Sequence, residues 1–206
     1  MIPPHARNFD HVKLLKKEYL TYSDEELMSL YTTGDGKAFE QIYDRYEKFI
    51  VNFFCRKLWN DREKAEDFAH ELFAKIIDRP QLFDLTRNFK TWLFSVANNM
   101  CKNEYKKQEI RKNTSYDVPD GIQVKDTEAT PDIAVDKKGF NEMLKRELDK
   151  LGEKHREVFM LRHFDGMAIN EIADTLEINE GTVKSRLHHA TKELADKLKI
   201  FRKAMI

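Results

Sequence analysis

Between Phe39 and Phe53, apolar side chains recur at spacings of three and four: Phe39, Ile42, Tyr43, Tyr46, Phe49, Ile50 and Phe53. A strand would alternate every second residue, so KAFEQIYDRYEKFIVNFFCRKLW is predicted to form one long helix with a single broad apolar face. Such a helix cannot hide its face alone and needs other helices packed against it. The flanking sequence supplies them. SDEE, Ser23 to Glu26, has the form of a capping box and opens an earlier helix. REKAEDFAHELFAKII places Ala65, Phe68, Ala69, Leu72, Phe73 and Ile76 on a buried side, with Glu66, Asp67, His70 and Glu71 elsewhere and largely facing out. A fourth helix, from about Phe89 to Lys107, buries Leu93, Val96, Ala97 and Met100. Five prolines and seven glycines in 206 residues are few; they suit long helices better than a turn-rich β fold, and the expected fold class is all-α.

The texture changes at Asn113. NTSYDVPDGIQVKDTEATPDIAVD holds two of the five prolines, a glycine and no helical apolar period, and reads as a flexible linker. Six acids against Lys125 give it a charge of about −5, whereas Thr86 to Lys112, just before it, carries about +5. Helical pattern resumes afterwards, over about Gly139–Lys150, His155–Phe164, Ile169–Leu176 and Glu180–Leu198. The length allows one ordinary domain or two small ones. The expected division is an N-terminal extension over 1–22, a helical domain over 23–112, an acidic linker over 113–137 and a second helical domain over 138–206.

Lysine plus arginine equals aspartate plus glutamate, 36 each, so the total charge neither favours nor excludes nucleic acid and its distribution must decide. Cys55 and Cys101 have no Cys or His at metal-ligand spacing and are expected to be reduced packing residues. No basic-then-apolar leader opens the chain and no apolar run nears the roughly 20 residues that cross a bilayer, so no stable membrane insertion and a cytoplasmic location are expected.

AINEIADTLEINEGTVKSRLHHATKEL has the layout of a helix-turn-helix. Ile172, Ala173 and Leu176 pack the first helix, Ile178 fills the corner, Asn179 caps the next helix, and Val183 and Leu187 bury it. Glu177 takes the turn position where glycine is frequent. The open face of the second helix then displays Thr182, Lys184, Ser185, Arg186, His189 and Lys192. Arginine can bond guanine bidentately, hydroxyls reach bases or phosphates, and lysines take phosphates. From Thr182 to Lys203 the net charge is about +5, which fits DNA, although a solvated basic helix end would show the same run.

A second polar face lies on the fourth helix. TWLFSVANNMCKNEYKK offers Asn98, Asn99, Lys102, Asn103 and Lys106. Asparagine is a poor helix former, and three within six positions call for a reason, which amide bonds to base edges would give. The Asp67–His70 spacing resembles half of a carboxylate-bridged metal site, but no second acid and histidine pair accompanies it, so no metal, cofactor or catalytic residue is expected. From the residues alone, a stand-alone regulator or RNA binder with a helix-turn-helix stays open.

The arrangement of these segments resembles a known family, the bacterial sigma factors of RNA polymerase, and within it the small extracytoplasmic-function (ECF) group. REVFMLRHFDGMAINEIADTLEINEGTVKSRLHHA is similar to that family's region 4, and AFEQIYDRY, AEDFAHELFAKI and FKTWLFSVANNMCKNEYKK are similar to successive parts of region 2. The resemblance implies a σ2-like helical bundle and a σ4-like helix-turn-helix domain, a non-enzymatic chain, and partners that include core RNA polymerase through its β′ coiled coil and β flap, promoter DNA and an anti-sigma factor. It implies that Glu66, Asp67, His70 and Glu71 meet polymerase. It further implies that Asn98, Asn99, Lys102, Asn103 and Lys106, with Phe83, Arg87 and Phe89 from the preceding loop, hold the −10 element. There a non-template base is turned out of the stack, at a cost of a few kcal/mol that contacts must offset. Trp92 is expected to be structural. By the same resemblance EGTVKSRLHHA reads the −35 element. The family often continues SRLHRAR where this chain has SRLHHAT, so His189 and Thr191 replace two bases, and fewer phosphate contacts mean weaker, less salt-sensitive binding.

Overall fold

A computed structural model describes residues 19–114 and 135–204, all helix, turn and loop with no strand among the described residues. The chain divides into two compact units, Met1–Lys107 and Gln108–Ile206. The proposed linker falls mostly on residues 115–134, outside the described residues, as do residues 1–18 of the N-terminal extension.

The first unit is built on α1 (Asp24–Thr32), α2 (Gly36–Lys57), α3 (Arg62–Asp78), a 3-10 turn (Pro80–Leu82) and α4 (Phe89–Thr114) as far as Lys107. The capping box is present: the Glu26 N–H donates to the Ser23 hydroxyl at 3.1 Å, and the Ser23 N–H donates to the Glu26 carboxylate at 2.7 Å. The long apolar helix is the hub. From α2, Phe39 meets Tyr31 of α1, Phe54 meets Phe68 of α3, and Phe53 meets Phe94 of α4, with ring centroids 4.9, 5.5 and 5.4 Å apart. Phe53, Phe54, Phe89, Phe94, Ile42 and Ile50 are fully buried; each such side chain contributes about 1.5–3 kcal/mol on leaving water. Phe49 departs from the expected apolar face. It is 44% exposed, and Val51 and Phe54 are buried on that helix instead.

The α2–α3 turn is unusual in sequence terms, since Trp59 and Asn60 both take left-handed conformations, with φ of 54° and 60°. Asp61 ends the turn by accepting the Lys64 N–H at 3.0 Å and so caps α3. Trp59 lies over Tyr105 of α4 at 5.4 Å, while Lys64 reaches Glu104 of α4 at 2.6 Å, so the strained turn is braced against a second helix.

The second unit comprises α5 (Val135–Lys150), α6 (Glu153–His163), α7 (Ile169–Leu176) and α8 (Glu180–Ala204). Leu148 and Leu151 pack with Ala190 and Leu194 of α8, and Leu144, Phe159 and Met160 close around them. Val158, Leu161, Met167, Ile172 and Val183 are buried as well. Gly166, at φ 63°, turns the chain between α6 and α7, where Arg162 donates to the Met167 carbonyl at 2.9 Å. No described helix is long and apolar enough to cross a membrane.

Candidate nucleic-acid interface

The α7–α8 corner has the expected helix-turn-helix geometry. Glu177 ends α7 at φ 57° and ψ 45°, and the Ile178 N–H reaches back to the Ala173 carbonyl at 3.0 Å. A left-handed residue with such a back-bond is the usual way to finish a helix when a second one must start at once. Asn179 caps α8, its Oδ1 accepting the Thr182 N–H at 2.7 Å and the Thr182 hydroxyl at 3.0 Å. The α7 start is held by the Glu171 carboxylate, which accepts the Ala168 N–H at 2.6 Å. Val183, Ala190 and Leu194 form the buried stripe of α8, with Leu187 half-buried. Lys184, Ser185, His189 and Lys192 stand exposed on it, with Thr182 and Arg186 half-buried. Two of these groups are already engaged: Thr182 in the cap, and Lys184 with Glu180 at 3.1 Å.

On α4, Asn99, Asn103 and Lys106 are exposed and Lys102 is half-buried. Their spacings of four and three put them on one strip of the helix. The helix start is fixed twice. Asn88 accepts the Thr91 N–H at 2.9 Å, and Glu25 of α1 accepts the Phe89 N–H at 2.9 Å. Before it, Asp84 accepts the Thr86 N–H at 2.9 Å and the Thr86 hydroxyl at 2.8 Å, bonds that hold its carboxyl below the usual range. Arg87 is exposed on that turn.

On α3, Asp67, His70 and Glu71 are exposed and Glu66 is half-buried. Glu66 pairs with Arg62 at 2.8 Å and Glu71 with Lys75 at 2.7 Å, each one turn away. Glu66 and His70 also line a groove of about 450 Å³ against α2, whose far wall includes Tyr43, Lys48 and Val51. Among the described residues, no group of three or more His, Cys, Asp or Glu side chains could hold a metal ion.

Two family descriptions match this layout: Sigma-70 region 2 over residues 42–110, and Sigma-70 region 4 over residues 141–194. The chain is 31% identical over 172 residues to the ECF RNA polymerase sigma factor SigW of Bacillus subtilis, covering 81% of this chain and 91% of that one. The chain belongs to the ECF sigma-70 family. It is also 30% identical to the ECF sigma factor SigL of Mycobacterium tuberculosis, over 78% of this chain and 89% of that one. The fold matches that of the sigma factor RpoE in complex with the anti-sigma factor NepR from Bartonella quintana, with a TM-score of 0.61 and 21% identity, covering 80% of this chain and 98% of that one. As a member of the family, this sigma factor recognises promoters and initiates transcription with RNA polymerase; the family consists of DNA-binding initiation factors rather than enzymes.

Some residues of this sigma factor lie differently from the sequence expectation. Asn98 was expected on the open face of α4, yet it is only 4% exposed. It falls on the stripe of Phe94 and Cys101, both fully buried. Phe83 and Phe89 were expected to line or flank a base pocket. Both are core residues: Phe83, 5% exposed, packs on Phe89 and Trp92 with ring centroids 5.1 Å from each. Trp92 is structural, as expected, and Arg87 alone of the loop candidates reaches solvent. The α2 wall of the groove escaped sequence reasoning: Tyr43 belongs to the expected apolar face, and neither Lys48 nor Val51 carries a signal in the sequence.

Proposed function

We propose that the three faces divide the work of initiation between them. The exposed strip of α3, led by Asp67 and Glu71, docks on the β′ coiled coil of core polymerase. The strip Asn99, Asn103 and Lys106 on α4, with Lys102 beside it and Arg87 before it, captures the −10 element. Amide groups there meet the edges of an extruded base and ammonium groups meet phosphates. On α8, Arg186, Ser185, Lys192 and His189 read the −35 element in the major groove, while Thr182 and Lys184 work from the cap and from an ion pair. The expected domain over 23–112 is thus the polymerase and −10 module, and the expected domain over 138–206 the −35 module, in contact with the β flap. The sigma factor acts in the cytoplasm with polymerase, and an anti-sigma factor covers the polymerase-docking surfaces.

The observation that carries this reading is the conjunction on one chain of a capped recognition helix and a separate asparagine–lysine strip on a rigidly started helix. A stand-alone regulator has use for the first and none for the second. The acidic strip of α3 suits a basic partner helix, since its charges sit at spacings of one and four on a single side.

The test is co-elution with bacterial core polymerase on size exclusion, using wild type and the Asp67→Arg, Glu71→Arg double variant. Wild type is expected to co-elute and the double variant to run free, with an unchanged circular dichroism spectrum. A folded wild type, free of inhibitor, that never co-elutes would overturn the docking assignment and leave an independent DNA-binding regulator as the better account of α8.

A further inference from the structure

The chain enters the first unit beside the α2–α3 groove. Arg45 of α2 binds the carbonyls of Tyr19, Leu20 and Tyr22, and the Tyr19 hydroxyl donates to Asp35 at 2.6 Å, so the chain that follows residues 1–18 is fixed on α2 from Tyr19 onward. Lys48 and Asn52, three and seven residues beyond Arg45, lie on the same side of that helix. Both line the groove of about 450 Å³. Arg45 and Asn52 are about 10 Å apart along the helix axis, whereas a segment as long as residues 1–18 spans about 27 Å as a helix and about 60 Å fully extended. The groove is therefore well within its reach.

The groove and the segment are complementary. Val51 and Ala69 are buried at the groove and Tyr43 is half-buried, which gives it an apolar lining. On α3, Glu63, Glu66 and Asp67 share one side at spacings of three and four. Together with Glu47 of α2 they outnumber Lys48 and Arg62, and Arg62 is already bonded to Glu66 at 2.8 Å. Residues 1–18 carry Arg7, Lys13, Lys16 and Lys17 against Asp10 and Glu18, with Phe9, Val12 and Leu15 at every third position. Wound as a helix, those three apolar residues would share one side, with lysines at its border.

We propose that residues 1–18 fold back into the α2–α3 groove of the same chain, with Phe9, Val12 and Leu15 against Tyr43 and Val51 and the lysines toward Glu47, Glu63 and Asp67. A tethered segment meets its site at an effective concentration near millimolar, so an intrinsic Kd of about 100 μM keeps the groove about nine-tenths occupied. Weak complementarity is enough. The consequence is competition: the segment covers part of the acidic strip of α3 until core polymerase displaces it. The contact rests on the groove, the tether and the charges, and only the competition rests on the docking role proposed for Asp67 and Glu71.

The test is photo-crosslinking of the full chain carrying Phe9→benzoylphenylalanine, at low micromolar protein, with the crosslinked peptides mapped by mass spectrometry. Crosslinks within one chain to residues 43–52 and 62–70 are expected. They are expected to disappear in the triple variant Lys13→Glu, Lys16→Glu, Lys17→Glu, checked for fold by circular dichroism. Crosslinks that miss both segments overturn the proposal, and so do crosslinks that survive the triple variant unchanged. Crosslinks between two chains also overturn it and assign the groove to a second copy. Fluorescence titration with core polymerase then separates the contact from its consequence. The triple variant, without the label, is expected to bind core about tenfold more tightly than wild type, because affinity falls in proportion to the fraction of chains left open. Equal core affinity together with the expected crosslinks would leave the segment in its groove and count against the docking role of the α3 strip.

Discussion

Arg45 looks unremarkable in the sequence, one of many charges between apolar positions on α2, yet it fastens the chain entering the first unit. Its guanidinium donates to Asp24 at 2.7 Å and to the carbonyls of Tyr19, Leu20 and Tyr22 at 3.1, 3.4 and 2.9 Å. Asp24 also accepts the Tyr46 hydroxyl. Arg45→Ala removes the charged partner of this carboxylate and is expected to destabilise the first unit by about 2 kcal/mol, since hydrogen bonds to charged groups are worth about 1.5–3 kcal/mol. Both tryptophans, Trp59 and Trp92, lie in this unit, so urea unfolding followed by their fluorescence reports on it alone; an unchanged midpoint would refute the strap. Tyr46 makes a second prediction. Burial, then the bond to Asp24, pushes its phenol well above its usual range. The stabilisation from this raised value is complete below about pH 10, the unfolded value, and is lost as the pH climbs above it, because the unfolded chain then ionises while the fold cannot. Wild type is therefore expected to lose more stability than Tyr46→Phe between pH 8 and pH 10.5 by the same fluorescence assay. None of this was legible in advance, because backbone carbonyls converging from 19–22 leave no mark on residue type. The Ser23 and Glu26 capping box was legible, because its partners lie three residues apart.

At the scale of elements, periodicity and capping signals located the α-helices but not all their ends, since α4 runs on to Thr114 and α5 starts at Val135, and packing then decided which residues sit at the edges of each face. Each residue turns a helix by about 100°, so Phe49 and Asn98 lie on flanks that the pattern alone assigns ambiguously, and the neighbouring helices settle them. Phe49 is left outside and Asn98 drawn in. The recognition corner was more legible because its signals are local: Asn179 caps α8, and Glu177 occupies the left-handed position. A non-glycine residue there costs about 1 kcal/mol or more. Glu177→Gly is therefore expected to stabilise the second unit by up to about 1 kcal/mol, the loss of glycine's unfolded-state freedom offsetting part of the relief. Slower hydrogen exchange of α7 and α8 amides would show it. Faster exchange would mean that the glutamate side chain contributes more than its backbone costs.

At the scale of the whole molecule, a chain with 36 charges of each sign still presents a basic reading helix, because its charges are sorted along the sequence. Sorting was visible without a structure. How many cations remain for DNA was not, since that depends on pairing: Lys184 bonds Glu180, which on the proposed −35 reading leaves Arg186 and Lys192 as the principal phosphate partners on the described face of α8. Each phosphate neutralised contributes about −0.9 to the slope of log affinity against log salt. Two or three contacts then give a slope near −2 to −3, too shallow and too weak for stable binding by the second unit alone. On the proposed reading tethering repairs this: with polymerase and the −10 strand already engaged, the −35 contact becomes intramolecular, and an effective concentration near millimolar makes a weak site sufficient. Restoring the missing base tests the argument directly. His189→Arg is expected to tighten duplex binding by the free protein several-fold and to steepen its salt slope by about one. With core polymerase bound, the gain in promoter affinity should carry over, because tethering multiplies the intrinsic affinity without replacing it. An unchanged slope in the free protein would mean that position 189 faces no phosphate, and that α8 meets the groove through Ser185 and Arg186 at a different angle.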